Sequence, residues 1–343
     1  MQRQLDYTRF LRSLNLTMAP KVSIIIANRN DVQMLAVTVR SCIEELQPIT
    51  SGEIVIVDNS DESVYKALAS ALPVGYIRDR VMKIYRQDFP CLFTARQMAA
   101  EKASGEYIAC LDSHMLVGHN TILDLTNFMD RHSKDKTLGF VHAPINWSQQ
   151  HESHSRHDRD LSINELGDWN RAYDHERTIT WKGMPWMCRR DWFLNSINGY
   201  GTLAKHKVSW GGGDMYLGTK PWLLGYKNWA VPTRPCIHIG PFPKTNIKDR
   251  KVKEVLARDK YRLYGSSGNY PHSFGFLVSC YILGGIPMME RNKDMLIEKF
   301  GPALGEQKWW DKAIELGQDE KDWLDANKVM SFEDFLERKP WDV

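Results

Sequence analysis

The chain has 343 residues and a formal net charge of +3, with 43% hydrophobic and 25% charged residues. That composition fits a globular protein with one large catalytic domain plus extensions, and so small a charge does not by itself imply a nucleic-acid or membrane partner. Six scattered cysteines (42, 91, 110, 188, 236 and 280) form no CxxC pair, which excludes a disulfide framework and predicts buried, reduced thiols in a cytoplasmic protein.

Residues 1–19 carry Arg3, Arg9 and Arg12 without a continuous apolar run, so they predict a short helix and no signal peptide. Val22 to Ala27 is a β-branched run, the pattern of a buried parallel strand, and ends in the polar cluster Asn28-Arg29-Asn30-Asp31. Leu35, Val39, Cys42, Ile43 and Leu46 keep one helical face apolar. Glu53 to Val57 predicts a second strand, followed by Asp58-Asn59-Ser60-Asp61. A helix through Val64, Leu68 and Leu72 and a strand from Val81 to Tyr85 come next. Leu92 to Ala103 predicts a helix with Arg96 near its start, and Tyr107 to Asp112 a strand. Ile122, Leu125 and Met129 mark a further helix and Leu138 to Ala143 a further strand. Strands alternating with helices at this spacing predict a doubly wound α/β sheet whose polar carboxyl ends form one ligand crevice.

Two residues at the end of the Tyr107 strand carry the sharpest chemistry. Residues i and i+2 of extended backbone share a side, so Asp112 and His114 are expected to face one point. A carboxylate with an imidazole suits Mn²⁺ or Zn²⁺ better than Ca²⁺, although alone such a pair more often marks a turn. The loop after the first strand has no G-x-G-x-x-G, and no G-x-x-x-x-G-K-[ST] occurs anywhere. That excludes a dinucleotide-binding cradle and a P-loop. Beyond Ala143 the pattern fades: His142, His151, His154 and His157 read as part of a solvated loop, not a zinc site. Several of the 12 tryptophans fall between 147 and 229, suggesting a surface that stacks on sugar rings. Trp210-Gly211-Gly212-Gly213-Asp214 then predicts a tight loop before a helix from Met215 to Leu224. Asp214 there is either a catalytic carboxylate or the helix cap.

Taken in order, VSIIIANRND, EIVIVDNSDE, TARQMAAEKASGEYIACLDSH, WKGMPWMCRRDWF, WGGGD and CIHIG resemble GT-A-fold glycosyltransferases of the family 2 type. Within that group they are most similar to polypeptide N-acetylgalactosaminyltransferases, and the resemblance spans residues 21–242. It implies a mostly parallel twisted sheet flanked by helices, a UDP-sugar as co-substrate, and Mn²⁺ or another divalent cation. Ala27, Asn28, Arg29 and Asp58 would line the uridine pocket, with Arg96 and Asp112 close to the donor. Asp112 and His114 would be the D-x-H metal motif. Gly183, Met184 and Trp186 would form the wall beneath the donor sugar, with Trp210, Gly212 and Gly213 beside sugar and acceptor. The sequence departs from the polypeptide transferases in two places. Gly240 and Pro241 stand where they place a metal-binding histidine, leaving His238 as the nearest substitute, either ligand or packed histidine. WGGGD replaces their Gly-Gly-Glu-Asn, so that Asp214 fits the Glu-Asp motif of inverting family 2 enzymes with Gly213 in the Glu position.

These readings divide the chain into an N-terminal segment (1–19), a GT-A catalytic domain (20–245) and a mainly helical extension (246–343) related to the acceptor. From Lys244 to Arg262 eight cationic residues face three acids, the pattern of a solvated face, a loop over a diphosphate or a surface along a phosphate backbone. Phe274 to Ile286 is too short and interrupted to span a bilayer. The expected activity is transfer of a hexosyl or N-acetylhexosaminyl group to a hydroxyl on a macromolecule, either a hydroxymethylated DNA base or a protein Ser/Thr. A glycan or lipid carrier as acceptor, a non-catalytic nucleotide-sugar-binding module and a nucleotidyltransferase are the alternatives.

Overall fold

A computed structural model describes residues 20–49, 51–72, 82–147, 176–178, 184–208, 210–239, 270–271 and 273–338. The apolar runs build the centre of an eight-stranded sheet. β1 (Val22–Asn28) lies between β2 (Gly52–Asp58) and β4 (Tyr107–Asp112), with β3 (Met82–Arg86) outside β2, all parallel. Such strands are covered on both faces, which is why they read as continuous runs instead of alternating ones. Beyond β4 the order continues through β9 (Trp186–Arg189), β6 (Leu138–His142), β10 (Lys227–Ala230) and β8 (Glu176–Thr178). β9 runs antiparallel to both β4 and β6, whereas β6 and β10 are parallel.

The register sets the site. Asn28 pairs with Asp58, Asp58 with Arg86, and Ala27 with Asp112, so their polar side chains share the carboxyl edge of the sheet. Helices α1 (Val32–Leu46), α2 (Tyr65–Ala71), α3 (Leu92–Lys102) and α4 (Thr121–Arg131) flank it. On α1 the apolar face is Leu35, Val39, Cys42 and Ile43, as its spacing predicts. A second sheet of three short strands sits beside the first. β11 (Cys236–His238) is antiparallel to β5 (Met115–Leu116) and parallel to β7 (Ile145–Trp147). All six cysteines are free and buried.

Three expectations change here. His142 is not in a solvated loop; it is buried in β6 opposite Trp186 and Ala230, whereas His151, His154 and His157 lie outside the described residues. Trp186, Trp192 and Trp222 are core residues, not a sugar-stacking surface; Trp186 and Trp192 meet Phe140 edge-on at 5.0 Å. After the short α5 (Gly201–Lys205), α6 (Gly213–Leu223) begins at Gly213, placing Asp214 inside the first turn instead of at its cap. Residues 1–19 and the cationic run 244–262 lie outside the described residues.

The C-terminal region is helical: α7 (Phe274–Phe300), broken at Gly285, then α8 (Gln307–Asn327) and α9 (Phe332–Arg338). Its apolar residues Phe274, Leu277, Ile282, Leu324 and Phe335 join the same core as the sheet strands. Among the described residues no helix is long and apolar enough to cross a membrane.

Candidate active site

The sheet ends at Asp112, and Ser113–His114 bends into β5 instead of continuing extended. Thr38 on α1 holds that bend, its hydroxyl donating to the Ser113 carbonyl (2.9 Å) and accepting the Met115 N–H (2.8 Å). β11 pairs with β5, so His238 arrives beside His114 from 124 positions along the chain. Their Nε2 atoms are 3.1 Å apart, and His238 Nε2 is 3.5 Å from Asp112 Oδ2. All three ligand atoms lie within 4.8 Å of one another. A divalent ion with ligands at about 2.0–2.1 Å puts neighbouring donor atoms about 3.0 Å apart at right angles and about 3.4 Å apart in a tetrahedron. The His114–His238 and His238–Asp112 separations therefore match neighbouring ligands of one cation.

Electrostatics favour the metal-binding forms. Burial by itself would raise the Asp112 carboxyl, but Arg96, His238 and His114 outweigh it and hold the group well below the usual carboxylate range. Arg96 Nη2 meets Asp112 Oδ1 at 2.5 Å from the buried face of α3. Burial lowers His114, keeping its imidazole neutral as a ligand must be. Asp31 Oδ2 lies 3.6 Å from His114 Nδ1, on the far side of the ring from His238. A carboxylate there orients the imidazole that faces the metal.

Along the same edge a second polar group forms around Asp58, which is buried at the end of β2. Its Oδ1 accepts from Asn28 Nδ2 (3.1 Å), the Ser60 hydroxyl (2.5 Å) and the Ser60 N–H (3.2 Å). Oδ2 accepts from the Val64 N–H (3.3 Å) and pairs with Arg86 Nη1 (3.0 Å). Arg86 also donates to the Ser60 carbonyl. Asn30 adds its N–H to Ser60 Oγ at 2.7 Å, so the loops after β1 and β2 are stitched together. Arg29 sits partly buried near Asp61 (3.8 Å), its guanidinium shifted downward by burial. The Asn28 side-chain oxygen is buried and has no hydrogen-bond partner among the described residues.

The glycine-rich loop closes the third side. Gly211 (φ 101°) and Gly212 (φ 75°) take left-handed backbone, and both press against the start of α7. A side chain at Gly212 would strike the Gly275 carbonyl and the Phe276 backbone at 2.9 Å. Burial by itself would lower the Arg96 guanidinium, but Tyr200, Asp112 and Asp214, the last delivered by this loop, turn the shift upward. Tyr200, packed on Phe93 at 5.3 Å, brings its hydroxyl to 3.4 Å from Arg96 Nη1. Arg96 therefore contacts Asp112 and Tyr200 and lies within electrostatic reach of Asp214.

Residues 23–192 match Glycosyl transferase family 2. These residues are a glycosyltransferase family 2 domain. Among solved structures the fold is similar to GalNAc-T7 crystallised with UDP, GalNAc and Mn²⁺, with TM-score 0.59 and 18% identity over 94% of this chain and 58% of that one. S. aureus TarS is also similar, at TM-score 0.48 and 14% identity over 94% of this chain and 53% of that one. The chain thus spans little more than half the length of either protein. No curated protein sequence matches it.

Within the family 2 domain and the region that follows it, the residues expected at the site fall into two groups. Asp112, His114, His238, Arg96 and Asp214 come together, while Asn28, Arg29 and Asp58 line the neighbouring edge with Ala27 partly exposed between them. Met184 and Trp186 are buried, and the Trp186 ring stacks on Phe193 at 5.6 Å, so it contributes to the core of the sheet. Trp210 is half-buried at the mouth of the glycine loop, edge-on to Phe276 at 6.2 Å, and Gly183 lies outside the described residues. Sequence reasoning missed Thr38, Arg86 and Tyr200 and treated Asp31 only as part of a polar cluster. Only Asp31 left a signal, its place at a strand's carboxyl end.

Proposed function

We propose that this family 2 domain transfers a sugar from a UDP-sugar to a hydroxyl group on a macromolecule, with Mn²⁺ or a similar divalent cation held by Asp112, His114 and His238. The observation that carries the reading is the spacing of those three ligand atoms at the carboxyl edge of the sheet, where open α/β sheets bind ligands. The crystallisation of GalNAc-T7 with UDP, GalNAc and Mn²⁺ supports the same cation and nucleotide.

When bound, the cation supplies Lewis-acid stabilisation of the charge that develops on the departing diphosphate. The protein supplies the rest. Arg96 keeps Asp112 ionised and aimed, and Asp31 orients His114. Asn28, Arg29 and the Asp58 cluster face the nucleoside. Asp214 takes the proton from the acceptor hydroxyl as its oxygen bonds to the anomeric carbon and the bond from that carbon to the phosphate oxygen breaks. A positioned base of this kind contributes typically 10²–10⁴-fold. Attack assisted by Asp214 inverts the anomeric centre. The acceptor is a hydroxymethylated DNA base or a protein Ser/Thr; the cationic run 244–262 supports a macromolecule and suits a phosphate backbone.

The test is UDP release from a panel of UDP-sugars with Mn²⁺, with and without EDTA, in wild type and Asp112→Ala. The reading requires hydrolysis of one donor that EDTA and the substitution both remove. Asp214→Asn should lose turnover and keep UDP binding, and NMR of the product decides the anomeric configuration. UDP binding without turnover on any acceptor would instead favour a nucleotide-sugar-binding module. Absence of transfer to every duplex carrying hydroxymethylated bases would eliminate the DNA acceptor.

A further inference from the structure

Glu320 belongs to α8, far along the chain from everything its carboxylate touches. It is buried, and so is Lys220 on α6, whose Nζ lies 3.1 Å from Oε1. The Tyr216 hydroxyl donates to Oε1, and the Thr202 N–H at the start of α5 donates to Oε2. Lys220 also donates to the Tyr216 hydroxyl (2.6 Å) and to the Gly199 carbonyl (2.8 Å). At Gly201 (φ 42°) a β-carbon would overlap both carboxylate oxygens of Glu320, so the carboxylate fills the space a side chain would need.

Two of this carboxylate's three partners, Thr202 and Tyr216, lead to the candidate site. Thr202 follows Tyr200 by two residues, and Tyr200 touches Arg96, which holds Asp112. Tyr216 follows Asp214 by two residues in the opening turns of α6. One carboxylate thus sets the separation between the helix that bears Asp214 and the residues that back Asp112. Buried ion pairs are often no more stabilising than well-packed apolar residues of similar volume, so stability alone does not account for the arrangement. Its distinctive product is geometry.

We propose that Glu320 is a positioning residue for sugar transfer, fixing Asp214 against the Arg96–Asp112 pair, and that the C-terminal helices are therefore part of the catalytic unit. The proposal rests on the transferase reading given above. A misplacement of about 1 Å in a reacting group can cost on the order of 10²-fold in rate, so the effect should appear in kcat.

The experiment uses the full chain, the UDP-sugar that wild type cleaves, and calorimetry with UDP and Mn²⁺. Lys220→Met/Glu320→Leu removes both charges together and leaves none buried alone. It should fold, bind UDP with Mn²⁺ as wild type does, keep its KM for the donor, and lose about 10- to 100-fold in kcat. Lys220→Met/Glu320→Gln restores an acceptor for the Thr202 N–H and a donor for Tyr216, and should recover much of that loss. Tyr216→Phe, which cuts one arm with the fold intact, should lower kcat in the same way and covers the case in which the leucine variant does not fold. A folded leucine variant with kcat within about twofold of wild type overturns the proposal, as does kcat that follows thermal stability and not the hydrogen-bonding capacity at position 320. Asp214→Asn, run alongside, separates the two ideas. If it turns over normally, the assignment of Asp214 has failed and takes the positioning role with it. If it is inactive while the leucine variant is unimpaired, only the positioning role has failed.

Discussion

Gly213→Ala tests whether packing against Phe93 is what keeps a side chain out of position 213. Position 213 opens α6 with ordinary helical backbone, so alanine should be favoured there by about 0.5–1 kcal/mol on conformational grounds. The β-carbon, however, would lie 2.5 Å from Phe93 Cε1 and 3.2 Å from Cζ. Carbon atoms pack best at about 3.5–4.0 Å, so the ring has to retreat by about 1 Å. Phe93 is buried and packed on Tyr200 at 5.3 Å, which leaves it little room. Overpacking of this kind costs about 1–3 kcal/mol, giving a net destabilisation of about 1 kcal/mol once the helical gain is subtracted. In a Phe93→Leu background the clash is gone and the same substitution should become stabilising, by about 0.5–1 kcal/mol. Equilibrium unfolding in urea of wild type, the two single variants and the double variant gives the coupling directly. If Gly213→Ala has the same effect in the wild-type and Phe93→Leu backgrounds, the packing argument is wrong.

The remaining predictions concern the supports of the cluster and the acid response of the sheet. Thr38→Val removes the hydroxyl that bonds the Ser113 carbonyl and the Met115 N–H, and should cost about 1–3 kcal/mol in urea unfolding and weaken Mn²⁺ binding; intact Mn²⁺ affinity by calorimetry would contradict that role. Asp31→Asn should lower Mn²⁺ affinity about 10- to 100-fold without changing the fold, because it weakens the orientation of His114, and an unchanged titration would rule this out. Glu53 is buried. Burial would raise its carboxyl, but the Lys83 ammonium at 2.6 Å and bonds from Ser23 and Ser104 hold it below its ordinary value. Its stabilisation is therefore complete above the unfolded-state value of about 4.3 and is lost as pH falls through the lower folded value. The stability gap between wild type and Glu53→Gln should close on acidification, and a gap independent of pH would refute the assignment.

What was readable in the sequence followed from local chemistry. β1, β2 and β4 are covered on both faces, so VSIIIA, EIVIV and YIACL announce themselves without any tertiary information. The polar residues ending those strands were legible for the same reason, because a buried parallel strand has nowhere else to put them. β7 and β9 to β11 were not, since strands of three or four residues carry no period to detect. The clustered tryptophans misled because composition cannot distinguish a ring packed on Phe140 from one waiting for a sugar. His238 was visible only as a substitute, because its nearness to His114 is a property of the β5–β11 pairing. Arg86, Tyr200 and Phe93 act through residues distant in sequence and leave no local mark.

The small sheet also dictates when the cluster comes into existence. Asp112 and His114 lie two residues apart at the end of β4, but the third ligand waits for β11, the strand on which β5 itself pairs and which must also find β7 across a long closed loop. Pairing of such high contact order comes late in folding. A cation bound through all three ligands recognises only the completed chain, so it adds stability to the native state alone, growing with the logarithm of its concentration over its dissociation constant. The metal would then act as a clasp on the last strand, and chelation would be felt first as loosening of the β11 edge while the β-branched centre of the large sheet stays shut.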